Sequence, residues 1–163
     1  LGKIKYKKIH NYRRNLGIIF QDFRILKEKT VYENVEIAMR AVGAKKKDIK
    51  PRVMEVLSKV KIDDKYNKYP DELSGGELQR VAIARAIVNK PSIIIADECT
   101  GNLDRENSIG ILNILNDINE EGVTVIMATH DNELINLFPK RVIQLENGKI
   151  IKDTKRENYE FNV

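Results

Sequence analysis

Apolar positions recur along this chain with two different periods, and the switches between them mark its elements. Leu16-Gly17-Ile18-Ile19-Phe20 is a short apolar run closed by Gln21-Asp22, which predicts a buried strand. Residues 31–60 carry helical spacing with a break at 43–47. Val53, Val56, Leu57 and Val60 form the apolar stripe of the second helix, and Pro51 is expected near its start, where a missing N–H costs little. After a loop at Tyr69-Pro70-Asp71, a helix is predicted over 75–89, with Leu78, Val81, Ala82, Arg85 and Val88 at helical spacing and Pro91 stopping it. Ser92-Ile93-Ile94-Ile95-Ala96 is a continuous run, the pattern of a strand covered on both faces. A helix over 106–121 closed by Gly122 follows, then a second buried strand over 123–128 and a short helix over 131–137. Residues 141–153 read as a hairpin turned by Asn147-Gly148.

Alternating strands and helices beyond Pro91 argue an α/β fold with a parallel sheet core. Residues 24–72, helical from about Thr30, read as a helical insertion between two strands of that sheet, and residues 73–153 carry the remainder. The length, 163 residues, suits one domain with a real core. Apolar residues make up 42 % and charged residues 33 %, which excludes a disordered chain. No apolar run approaches the ~18 residues of a membrane span, and no signal-peptide core is present. The single cysteine, Cys99, excludes an internal disulfide framework and suits a reducing compartment.

The net charge of +5 gathers in Lys3, Lys5, Lys7, Lys8, Arg13 and Arg14 and again in Lys45-Lys46-Lys47. These faces are solvated surface or lie near an anionic membrane. Nucleic acid is disfavoured as a partner, because no stacking aromatics or reading motif accompany the charge. The chain begins at Leu1 with a basic segment that no strand precedes, so it is expected to be the C-terminal part of a longer protein.

Parallel sheets place ligand sites at the carboxyl ends of their strands. Three of the predicted strands end in polar residues: Gln21, Asp97-Glu98, and Thr129-His130. If the strands are neighbours, Gln21, Asp97, Glu98 and His130 converge. Asp97 suits Mg²⁺, which takes hard oxygen ligands and is held by one or two carboxylates plus phosphates. Glu98 suits a general base on a water. Gln21 can contact the metal or the water, and His130 can bond a γ-phosphate or position the water. Leu73-Ser74-Gly75-Gly76-Glu77 opens the 75–89 helix. Ser74 and Glu77 form a capping box, but two glycines cost helix stability. They let an anion approach the backbone N–H groups at the positive helix end. Gly101-Asn102-Leu103-Asp104 is either a turn with Asp104 as helix cap or a loop that links two copies of the site. Cys99 reads as an inert buried thiol, and His10 as solvated.

These residues resemble the ATP-binding cassette (ABC) ATPases over essentially the whole chain. Phe20-Gln21-Asp22 looks like the Q-loop, Leu73 to Glu77 like the signature motif, 93–97 with Glu98 like Walker B and the catalytic glutamate, Gly101 to Asp104 like the D-loop, and His130 like the switch histidine. The resemblance implies a partial nucleotide-binding domain with ATP and Mg²⁺ as cofactors. Ser74 and Gly76 would contact the γ-phosphate of ATP held by a second cassette, with Gly75, Glu77 and Asp104 at the same interface of a homodimer. Phe20 to Arg24, Thr30 to Val35 and Thr100 to Asp104 are most similar to the cell-division branch of the family. That branch works at the inner face of the cell membrane with an integral membrane protein, for which residues 22–35 are the expected contact. Lipoprotein-release and macrolide-export cassettes share Thr100 to Asp104. Chromosome-handling members carry long coiled coils or zinc modules, and the sequence has neither.

Two positions depart from the family pattern. No G-x-x-x-x-G-K-[ST] occurs in the 163 residues, so the chain by itself is expected neither to bind ATP tightly nor to turn it over. A cassette acting only as an interaction module is the alternative. Cys99 stands where the family usually has proline.

Overall fold

The computed structural model describes residues 9–154. Lys3, Lys5, Lys7, Lys8, the side chain of His10 and the 155–163 tail lie outside the described residues. Two compact units divide the chain, the first ending at Thr129 and the second starting at His130.

In the first unit, helix α1 (Ile9–Arg14) leads into strand β1 (Leu16–Ile19). Helices α2 (Val31–Ala41) and α3 (Lys46–Lys59) follow, then α4 (Gly75–Ile87), strand β2 (Ile93–Asp97), helix α5 (Arg105–Glu120) and strand β3 (Thr124–Ala128). The strands form one parallel sheet in the order β1-β2-β3, with Leu16 opposite Ile93 and Ile93 opposite Thr124. Their carboxyl ends therefore lie along one edge. Gly17 sits where a Cβ would come within 2.8 Å of the Ala86 carbonyl oxygen, so its lack of a side chain lets α4 close onto β1.

Helices α2 and α3 pack against each other and on α4. Val31, Val35, Met39, Ile49, Val53, Val56 and Leu57 join Val81, Ile83, Ala84 and Val88 in one buried cluster. The Arg52 guanidinium reaches from α3 to donate to the carbonyls of Val88 (2.9 Å) and Ile87 (3.0 Å), satisfying groups that the end of α4 leaves open. Helix α3 starts at Lys46, five residues ahead of Pro51, so the proline falls inside the helix rather than at its start.

The described helices cover one face of β2, whose apolar run is the pattern of a strand covered on both. Ile18, Ile95 and Ile126 are paired side by side across the three strands, yet they remain 46 %, 38 % and 55 % exposed. Ile19, Ile94 and Ala96 are buried, whereas no residue of β3 is. The continuous apolar run reports capacity for burial on both sides, and within this unit the described helices satisfy one.

The second unit contains α6 (Asn132–Leu137) and the antiparallel hairpin β4 (Val142–Glu146) and β5 (Lys149–Thr154). Asp131 caps α6 by accepting from the N–H groups of Glu133 (2.9 Å) and Leu134 (3.1 Å). Asn147 and Gly148 both have positive φ, the requirement of a two-residue type I′ turn. Arg141 grips Asp153 through two hydrogen bonds of 2.8 and 2.6 Å.

Candidate functional site

The parallel register sets Ile19 beside Ala96, and Asp97 beside Ala128. Gln21, Asp97 and Glu98 consequently sit at one edge of the sheet, where peptide dipoles and loop freedom favour ligand contacts. The carboxylate of Asp97 belongs to an exposed residue at the end of β2. Glu98 follows in the left-handed region at φ 48°, anchored by its N–H to the Ala128 carbonyl at 3.0 Å. A non-glycine residue costs energy in that conformation, and such residues cluster at functional sites. The turn is closed by the Gly101 N–H, which donates to the Glu98 carbonyl at 3.0 Å.

Gly101 also brings two loops together. A Cβ built there would lie 3.2 Å from Gln21 Nε2 and 3.7 Å from Glu98 Oε2, so both side chains flank the same glycine. Asn102 reaches toward the Gln21 carbonyl, with its Nδ2 3.5 Å away. The amide of Gln21 and the carboxylate of Glu98, the residue after Asp97, thus both face Gly101. His130 lies two residues beyond Ala128, the last residue of β3, and opens the second unit.

The segment after Gln21 turns through Phe23 and Arg24, at φ 57° and 48°. Arg24 stacks over the Phe20 ring at 3.8 Å. Farther along, the buried Asn34 pins the segment: its Oδ1 accepts from the Leu26 N–H, and its Nδ2 lies 3.0 Å from the carbonyls of Leu26, Lys29 and Thr30. Thr30 and Glu33 form a reciprocal capping box that starts α2.

Ser74 caps α4 from an exposed position. Its hydroxyl accepts from the Glu77 N–H at 3.4 Å, and Glu77 accepts from the Ser74 N–H at 2.8 Å. Lys65 and that backbone N–H hold the Glu77 carboxyl below the usual range. The two glycines differ. At Gly75 a Cβ would meet only ordinary contacts, the nearest being Leu103 Cδ2 at 3.4 Å. At Gly76 it would collide with Asn107 of α5, 2.4 Å from Oδ1. Gly76 therefore has a packing requirement that its motif does not reveal, and Asn107 is a neighbour that sequence reasoning missed.

Asp104 is the cap of α5. Its carboxylate accepts from the Asn107 N–H (2.9 Å) and side-chain amide (2.7 Å), and these bonds lower its pKa. Cys99 is buried beside Met127, and burial raises its thiol to about 12, so it stays protonated and unreactive at neutral pH.

The stripe expected on α4 is corrected in two places. Gln79, not Leu78, is fully buried, and neither atom of its side-chain amide has a hydrogen-bond partner. Arg85 leaves the stripe and donates to the carbonyls of Arg24 (2.6 Å) and Phe23 (2.8 Å); burial lowers its pKa, but a guanidinium remains charged. Helical spacing defines a face, and which arc of that face turns inward is fixed by the neighbours α2, α3 and α5.

Among the described residues, no group of three or more His, Cys, Asp or Glu side chains could cage a metal. The donor set of Asp97 with Gln21 fits an ion that keeps waters and takes other ligands from a phosphate. The fold agrees with what comparison with known proteins returns. Residues 2–101 match the ABC transporter family model. The chain is 49 % identical over 162 residues to the cell division ATP-binding protein FtsE of Streptococcus pneumoniae, spanning 99 % of this chain and 70 % of that protein. Against FtsE of Bacillus subtilis it is 49 % identical over 98 % of its length, again covering 70 % of the relative. Among solved structures, the dimeric post-hydrolysis ATP-binding cassette MJ0796 bound to ADP and Pi matches with a TM-score of 0.80 at 32 % identity, covering 96 % of this chain and 70 % of that one. CbiO1 of Clostridium perfringens, part of the ABC transporter complex cbiONQ, matches with a TM-score of 0.86 at 30 % identity, covering 94 % and 62 %. A three-stranded parallel sheet with Gln21, Asp97 and Glu98 along its carboxyl edge, joined to this degree of identity, means that the chain belongs to the ABC transporter family of ATPases.

Proposed function

We propose that this chain forms most of the ATPase subunit of an FtsEX-like complex of bacterial cell division, lying on the cytoplasmic face of the membrane beside an FtsX-like integral membrane protein. The observation that carries the reading is the meeting of Gln21 and Glu98 across Gly101, beside Asp97, in a chain 49 % identical to FtsE proteins.

Bound Mg²⁺–ATP supplies a terminal phosphoryl group that can pass to water, and the metal offsets the charge that develops. Asp97 is suited to hold that metal, directly or through water, with Gln21 as a second contact. Glu98 is suited to accept a proton from the attacking water, because its carboxylate stands one residue beyond the metal ligand. His130, two residues past the neighbouring strand, is the candidate for positioning that water or bonding the phosphate. At the start of α4, Gly75 and Gly76 offer N–H groups at the positive end of a 13-residue helix beside the exposed Ser74 hydroxyl, with Glu77 locking the cap through the Ser74 N–H. These groups would serve the nucleotide of a second cassette, in a homodimer whose interface also takes in Asp104. The dimeric cassettes among the structural neighbours support that arrangement.

For the membrane partner, residues 22–35 remain the expected contact. A recess of about 500 Å³, lined by the cationic Arg13, Arg14 and Arg85 and by apolar residues such as Leu16, Ile18 and Val42, offers positive charge beside apolar surface.

The test is Glu98→Gln in the full-length protein. Hydrolysis should fall by roughly 10²-fold or more, the range typical for loss of a general base, while nucleotide binding persists. Unchanged turnover would remove Glu98 from the role of base.

A further inference from the structure

We propose that Arg85 is a positioning residue: from α4 it holds the left-handed Phe23–Arg24 turn by both carbonyls and thereby fixes where Gln21 sits against Glu98. The inference rests on the reading of Gln21 and Glu98 as parts of a hydrolytic site.

Three observations carry it. First, the turn is one that the sequence does not favour by itself. Phe23 and Arg24 are consecutive non-glycine residues at positive φ, and such backbone persists only where its surroundings over-determine it. Second, beside the local Arg24–Asp22 pair, the Arg24–Phe20 stack and the reach of Asn102 to the Gln21 carbonyl, α4 supplies two charged donors to the turn itself. The two terminal nitrogens of Arg85 donate to the adjacent carbonyls of Phe23 and Arg24, 62 and 61 residues away in sequence. The Phe23 ring lies near the start of the same helix, with Cζ 4.0 Å from where a Gly75 Cβ would stand. Third, the turn is short and its other end is the functional one. The Arg24 N–H donates to the Asp22 carbonyl and the Phe23 N–H to the Phe20 carbonyl, so displacement of the turn must pass directly to Gln21 between them.

The planar fork of a guanidinium suits this task. It delivers two parallel N–H donors to two carbonyls at fixed spacing, whereas a lysine offers one compact ammonium on a flexible stem. Helix α4 would therefore act as a rigid bar, with Ser74-Gly75-Gly76 at one end and the Gln21 segment clamped along its side. Any rotation of α4, whether from nucleotide at its N-terminus or from a partner against α2 and α3, would move Gln21 with it.

The test uses the full-length protein and three variants, Arg85→Gln, Arg85→Lys and Gln21→Ala, with the double variant Arg85→Gln/Gln21→Ala. Amide hydrogen exchange in Arg85→Gln should rise by about tenfold or more across residues 20–26, the equivalent of at least one charge-assisted bond lost, while α5 keeps its protection. Arg85→Lys should not restore protection. In ATP turnover, Arg85→Gln and Gln21→Ala should each lower kcat with little change in KM, and the double variant should be no worse than the weaker single variant. Multiplying effects in the double variant, full rescue by lysine, or unaltered exchange at 20–26 would each overturn the proposal. Glu98→Gln separates this from failure of the hydrolytic reading. If that variant hydrolyses normally while residues 20–26 lose protection in Arg85→Gln, Arg85 still holds the turn but the turn does not serve hydrolysis, and the proposal falls with the site.

Discussion

Gly76→Ala gives a sharp test of how the start of α4 is built, because two explanations of that glycine predict different outcomes. The added Cβ would stand 2.4 Å from Asn107 Oδ1 and 2.6 Å from its Cγ. Ordinary contact requires Asn107 to retreat by about 1 Å. It is not free to do so, because its side-chain amide and N–H both donate to Asp104, the cap of α5. Overpacking of this kind costs about 1–3 kcal/mol. Alanine recovers up to ~1 kcal/mol of helix propensity, and the φ of Gly76 lies outside the left-handed region, so no backbone strain is added. With that gain near its full value the net loss is up to about 2 kcal/mol, and the thermal midpoint should fall by up to roughly 8 °C for a protein of this size. Urea and thermal unfolding followed by circular dichroism would measure it. Asn107→Ala removes the colliding amide, leaving its Cβ 3.2 Å away. In that background, Gly76→Ala should cost little. Equal costs in both backgrounds would refute the steric argument. Nucleotide-dependent dimerisation of the double variant, made in the full-length protein, then decides the rest. If it stays lost after stability returns, the glycine also admits an anion to the backbone.

Gln79→Met should raise the urea midpoint, because a buried amide with both atoms unpaired costs about 1–3 kcal/mol per group and methionine fills the same space without it; a lowered midpoint would reveal a water or other partner on that amide. Cys99 should resist iodoacetamide at mildly alkaline pH until the protein unfolds, since burial holds its thiol near 12; rapid labelling of folded protein, read by mass spectrometry, would contradict this. Glu77 has a folded pKa below its unfolded value, so its contribution is present above about pH 4.3 and is lost as pH falls through the lower folded pKa. Glu77→Gln should therefore be less stable than the parent near neutral pH, with the gap closing in acid; a gap independent of pH would exclude the Lys65 and Ser74 contacts as its cause.

Much of this molecule was legible before its fold was known. Local chemistry wrote the caps and the tight turn: Ser74 with Glu77, Asp104 before α5 and Asn147-Gly148 in the hairpin each depend on residues at most three apart. Apolar runs located the three strands of the sheet, and the chemistry of their last residues selected Gln21, Asp97 and Glu98. Periodicity could not say which arc of α4 would face inward, because Gln79 and Leu78 lie 100° apart on a helix and only α2, α3 and α5 choose between them. Nor could it say which face of the sheet these helices would cover, since a run of isoleucines is the same on either side.

The sequence by itself determined the elements, their caps and the identity of the groups at the strand ends, because those follow from interactions within a few residues. Tertiary structure decided what those groups meet. Asn107 stands 31 residues beyond Gly76, and Arg85 61 beyond Arg24. No local rule links such pairs; the parallel register and the packing of α4 against its neighbours bring them within reach.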